Sequence, residues 1–122
     1  MAEARRLICA AGDLPERGKG VRFTVETERG TAAAFAVRYR GRVHGYVNRC
    51  AHVSVELDWQ PGEFFDVSGL YLVCSTHGAA YLPDTGYCVG GPCKGQKLTK
   101  LPIEEQDGQV YMIEIKRETH HG

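Results

Sequence analysis

Apolar and polar residues alternate with a two-residue period through Val21–Thr27 (VRFTVET), and apolar-rich runs follow at 33–39 (AAFAVRY) and 43–48 (VHGYVN). That period sends successive side chains to opposite faces of an extended chain, so each segment reads as a β-strand. Gly30 and Gly41 fall between the runs, where hairpins turn, and the three together predict an antiparallel meander. Further on, LYLVC (70–74) is a continuous apolar run of strand length. KLTKLPIEE and QVYMIEIK then flank Asp107-Gly108, a pair that tolerates positive φ and predicts a second hairpin. No stretch repeats apolar residues at helical spacing for three turns, and 15 glycines and 5 prolines interrupt most windows that could. The pattern predicts an all-β fold, an antiparallel sandwich or partial barrel. With no repeat, linker or shift in composition, residues 1–122 read as a single domain.

Composition narrows the function. The apolar fraction of 43% and charged fraction of 25% suit one globular core, and a chain of this length buries roughly two-thirds of its unfolded surface. Fifteen basic and fifteen acidic residues cancel without a long run of either sign, which argues against a nucleic-acid footprint or a polybasic membrane patch. The apolar stretch near the N-terminus is broken by Gly12 and Asp13, too early for a signal segment or a spanning helix, so a cytoplasmic protein is expected. Cysteines 9, 50, 74, 88 and 93 make an odd count. Without an export signal that favours metal or redox chemistry over a secreted disulfide framework.

Two segments carry the chemistry. Asn48-Arg49-Cys50-Ala51-His52 gives C-x-H after one apolar strand, and Cys74-Ser75-Thr76-His77 gives C-x-x-H after another. Two neighbouring strand ends would thus offer one sulfur and one nitrogen each to a common point. Structural zinc sites usually group like ligands, C-x2-4-C followed by H-x3-5-H, and this order mixes them. A 2Fe-2S cluster with two cysteines on one iron and two histidines on the other requires such mixing, and it is the preferred reading. Zinc is the alternative.

At these loops the chain resembles the Rieske family, in particular its small soluble ferredoxins, and the likeness runs from DLPERGKGVRFTV through YRGRVHGYVNRCAH and CSTHGAAYLPDTG to GGPCKGQKLTKLPI. The resemblance implies Cys50 and Cys74 as ligands of the buried iron, His52 and His77 as ligands of the outer one, and Gly90-Gly91-Pro92 as the loop covering the cluster. It implies a base of stacked antiparallel sheets with an inserted cluster-binding subdomain at about 49–93. Family members of respiratory and photosynthetic complexes carry a further cysteine in each loop, joined as a disulfide. Val55 and Thr76 stand there in this chain. A serine donor of the high-potential members is replaced by Ala79, while Tyr81 matches a tyrosine that donates to a ligand thiolate. Fewer donors to sulfur place the expected potential in the lower half of the Rieske range of roughly −150 to +300 mV.

The function implied is one-electron transfer from a flavoprotein or ferredoxin reductase to a terminal oxygenase, with no catalytic site on this chain. Only His44, His120 and His121 remain once the cluster is served, and with His44 read as a surface residue of a strand and the other two as a terminal pair, no mononuclear iron site of two histidines and a carboxylate is expected. A small subunit of a larger reductase such as nitrite reductase is the alternative, and a zinc-stabilised interaction module a weaker one. Val53, Val55, Ala79 and Pro92 suit either an apolar contact face or a shield for the cluster, whereas Trp59, Phe64 and Phe65 read as packing residues. Cys88 and Cys93 are read as two small buried thiols in preference to a disulfide, and Cys9 as a buried strand residue.

Overall fold

A computed structural model describes residues 2–28, 30–51, 55–58, 60–76 and 78–116. Its strands are β1 (Ala2–Ala10), β2 (Val21–Thr27), β3 (Gly30–Tyr39), β4 (Arg42–Val47), β5 (Leu72–Cys74), β6 (Ala79–Tyr81), β7 (Cys88–Gly90), β8 (Lys100–Leu101), β9 (Ile103–Gln106) and β10 (Gln109–Lys116). A single 3-10 turn, Ala11–Asp13, is the helical element among the described residues. The strands form three antiparallel sheets, ordered β1-β10-β9, β2-β3-β4-β8 and β5-β6-β7. The all-β expectation holds.

The meander forms as the alternation predicts. β2 and β3 run in register from Val21 opposite Ala36 to Thr27 opposite Gly30, and β3 and β4 from Ala34 opposite Val47 to Tyr39 opposite Arg42. Gly41, at φ +76°, takes a turn conformation that a side chain resists, and Arg40 beside it is also left-handed. That turn is held by Glu16, whose carboxylate accepts from the amides of Arg40 and Gly41 at 2.5 and 2.8 Å. The Asp107-Gly108 hairpin closes β9 onto β10, both turn residues having positive φ.

Elsewhere the pattern and the structure part. β5 starts at Leu72, two residues after the apolar run begins, because Asp66 and Gly69 close a tight turn just before it and Leu70 stays exposed. β1 pairs with β10 from the far end of the sequence, a partnership that local alternation cannot announce. Cys9 lies in β1 as expected but is half-buried, and burial raises its thiol above the usual range.

Two apolar cores result. One packs Leu14, Ala36 and Val110 between the β1 and β2 sheets, with Ile8, Phe23, Val43 and Ile103 against it. The larger gathers Phe35, Tyr46, Leu57, Phe64, Leu72 and Tyr81 around four cysteines, Cys50, Cys74, Cys88 and Cys93. Phe64 stacks on Phe35 with ring centroids 3.9 Å apart. Phe65 lies 6.3 Å from Tyr39, so both phenylalanines are packing residues as expected. A fully buried ring of this kind contributes about 1.5–3 kcal/mol. The four-stranded sheet is thereby locked to the small β5-β6-β7 sheet that carries the second thiol.

Candidate metal centre

The first candidate loop leaves β4 at Val47 because Asn48 turns its amide inward. Asn48 is buried, its Nδ2 donates to Asp58 Oδ1 at 3.0 Å, and its Oδ1 accepts from the Leu57 amide at 2.8 Å. Asp58 Oδ2 accepts from the Gly62 amide at 2.9 Å and lies 3.5 Å from Arg22 Nε. Every polar group of the pair is thus partnered, as burial requires. The two ends of the loop are pinned together, and the Cys50 amide donating to Val55 O at 2.7 Å closes it further. Sequence reasoning missed Asn48 and Asp58, since neither residue type announces burial.

The second loop follows β5. The Gly78 amide donates to Cys74 O at 2.8 Å, a one-turn closure in which Gly78 takes φ +70°. The Ser75 amide donates to Leu57 O at 3.0 Å, which ties this loop to the first. Cys50 and Cys74 are 2% and 0% exposed, and both belong to the larger core.

Tyr81, paired with Leu72 across β5 and β6, reaches back to the first loop. Its Oη lies 3.3 Å from Cys50 Sγ and accepts from the Ala51 amide at 2.9 Å. A phenol has one proton, and toward a metal-bound thiolate, which has none of its own, that proton would be the one shared. Burial, and then the contact with Cys50, push the Tyr81 pKa well above its ordinary value, so the hydroxyl stays a donor at any working pH. A hydroxyl donor beside this sulfur would stabilise a metal-bound thiolate, the form in which cysteine binds metal.

The third loop departs from expectation. Cys88 and Cys93 are joined in a disulfide with Cα atoms 5.9 Å apart, where two separate thiols were expected. The Cys88 amide donates to Gln96 O and the Gln96 amide to Cys93 O, both at 2.8 Å, so the chain folds back on itself and brings the sulfurs within bonding reach. Of the residues that suit either a contact face or a shield, two fall to the shield. Ala79 is fully buried and Val55 packs against the core, so both shield the thiols, whereas Pro92 is exposed, as is Val89 at 43%. His44 sits half-buried in β4, opposite Val37, and burial followed by the charge of Lys100 lowers its pKa. It takes no part in the site. His52, His77, Val53, Trp59, His120 and His121 lie outside the described residues.

The model of the Rieske [2Fe-2S] domain matches residues 4–113. Comparison with curated proteins gives no match. Among solved structures, a ferredoxin of Sphingomonas yanoikuyae B1 superposes with a TM-score of 0.69 at 21% identity, covering 92% of this chain and 100% of that one. The ferredoxin of carbazole 1,9a-dioxygenase from Nocardioides aromaticivorans IC177 gives 0.71 at 18% identity, covering 89% and 96%. The terminal oxygenase of the same system gives 0.73 at 22% identity, and this chain spans 32% of its length. The buried donor set fits a cluster of this kind: two cysteine sulfurs from separate loops in one apolar core, one of them under a phenolic donor. The chain belongs to the Rieske [2Fe-2S] domain family, and its cofactor is a Rieske-type 2Fe-2S cluster.

Proposed function

We propose that the protein is a one-electron carrier in which Cys50 and Cys74 hold the buried iron of the cluster, and His52 and His77 the outer one. A bound 2Fe-2S cluster supplies a one-electron couple. This chain's own part is to enclose the sulfurs, keep water from them and offer the Tyr81 hydroxyl to Cys50 as a hydrogen-bond donor. The observation that carries the reading is the meeting of both cysteines in one core beneath that hydroxyl. One domain spans the chain, and residues about 49–93 form its cluster-binding part. The ferredoxins it resembles are covered over almost their whole length, which supports a carrier rather than a catalyst.

The partners are a flavoprotein or ferredoxin reductase upstream and a terminal oxygenase downstream, met transiently over a modest area. Support comes from a solved complex of oxygenase and ferredoxin in carbazole 1,9a-dioxygenase, whose structure resembles this chain at 24% identity with a TM-score of 0.68. A cytoplasmic setting without nucleic-acid or membrane partners fits the balanced charge. Among the described residues no helix is long and apolar enough to cross a membrane. Electron paramagnetic resonance of dithionite-reduced protein is the test. The expected signal is that of a mixed-ligand cluster, lost in His52→Ala and His77→Ala. A silent, colourless protein holding zinc, or a signal of the all-cysteine type, overturns the reading.

A further inference from the structure

The Cys88–Cys93 disulfide is not used by the electron-carrier reading, yet its loop presses on the second ligand loop. Gly91, at φ +86°, lies so close that a Cβ built there would sit 2.9 Å from Ala79 Cα and 3.0 Å from Gly78 O, both well inside contact distance. Gly90 pairs with Ala80, and Cys88 with Tyr81, so the same loop also aligns the strand that carries the phenol. Gly78 in turn closes on Cys74 O. A continuous set of backbone contacts therefore runs from the disulfide through Gly91 to Gly78-Ala79, and from there to Cys74. Both sulfurs are buried within the core that holds Cys50 and Cys74, which suits a permanent brace. Val55 and Thr76 leave the two ligand loops with no cysteines beyond Cys50 and Cys74 for a direct link between them.

We propose that the Cys88–Cys93 disulfide is a positioning device for the 74–79 loop, bracing it from outside through Gly91 in place of a direct cross-link between the ligand loops. Closing a ring over a sequence separation of five restricts the open chain by roughly 30-fold, and that preference is passed to the loop seated on it. The inference rests on Cys74 and His77 being ligands, and the test separates the two claims.

Thiols are first counted on denatured, unreduced protein freed of iron. Three are expected, from Cys9, Cys50 and Cys74, and a count of five overturns the proposal. The Cys88→Ala/Cys93→Ala double variant is then compared with the native holoprotein. Iron loss to a chelator should quicken by about tenfold or more. The resonance line shape should change, and amide exchange should rise at 74–79 while 31–39 stays protected. Gly91→Ala, which keeps the disulfide and strikes the contact itself, should reproduce these effects and serves if the double variant does not fold. Unchanged iron loss and unchanged exchange at 74–79 in a folded variant overturn the brace. If the native protein holds no iron and sulfide, the ligand reading fails instead, and exchange at 74–79 in the apoprotein still decides on the brace.

Discussion

The Tyr81 hydroxyl is the group whose removal separates an electronic role from a packing one. It lies 3.3 Å from the sulfur of Cys50 and would donate to it were Cys50 the thiolate ligand proposed above, and such a donor favours the more negative, reduced state of the cluster. Tyr81→Phe keeps the ring in the core and deletes the proton, so the midpoint potential should fall, by about 40 mV for a lost preference of about 1 kcal/mol on a one-electron couple. A redox titration followed by circular dichroism measures this. An unchanged midpoint would mean that the proton points elsewhere. Asn48 offers the complementary case. Asn48→Ala strips a partner from the Leu57 amide and from buried Asp58, and should cost about 2–3 kcal/mol in denaturant unfolding while leaving the potential of assembled protein nearly unchanged. Neither residue was equally legible beforehand. Tyr81 stood out through family resemblance, whereas Asn48 and Asp58 look like ordinary loop residues until their burial is seen.

At the scale of elements, Arg38 joins what the hairpins leave separate. From β3 its guanidinium donates to Leu14 O at 2.7 Å, to Ala11 O at 3.2 Å and to Glu105 Oε1 on β9 at 2.7 Å, and so stitches the meander to the terminal sheet. Arg38 holds the Glu105 carboxyl below its ordinary value of 4.5, the hydrogen bond outweighing burial. A depressed carboxyl stabilises the fold at pH values above the ordinary value, and that contribution disappears as pH falls through the lowered folded value. Glu105→Gln should therefore cost about 0.5–1 kcal/mol at pH 7, a modest figure because the carboxylate is partly exposed. The gap from the native protein should close in acid. Urea unfolding at several pH values tests the sign, and a gap that widens below pH 4 would refute it. The same elements show what a sequence can announce. β2, β3 and β4 are joined by short turns and paired locally, so alternation and two glycines were enough. The pairing of β1 was hidden because its partner β10 lies at the other end of the chain, and β6 and β7 were hidden because three residues make no period. The Cys88–Cys93 pairing depended on a fold-back through Gln96 that no spacing rule encodes.

Across the whole molecule, the division into two cores predicts how the protein responds to loss of its metal. The core of Leu14, Ala36 and Val110 contains none of the proposed ligands, whereas the larger core contains Cys50 and Cys74. A group that binds only the folded state adds its binding free energy to stability, and with the proposed ligands it would also cross-link two loops that hydrogen bonds such as that from Ser75 to Leu57 otherwise join. Removing iron with a chelator should lower the unfolding midpoint by on the order of 10 °C, the shift for about 3 kcal/mol in a domain of this size. The loss should be uneven. Amide exchange should accelerate at 49–58 and 72–81, while the β1-β10-β9 sheet and the β2–β3 hairpin keep their protection. Hydrogen exchange read by mass spectrometry on matched holo and apo samples resolves those segments. Uniform loss of protection would show the two cores to be one cooperative unit. Unchanged protection in the ligand loops would mean that they are organised without metal, by the Asn48–Asp58 pair and the disulfide alone. Because that pair and the disulfide brace the loops from either side, the expected apoprotein is native in its sheets and loosened only between those two braces.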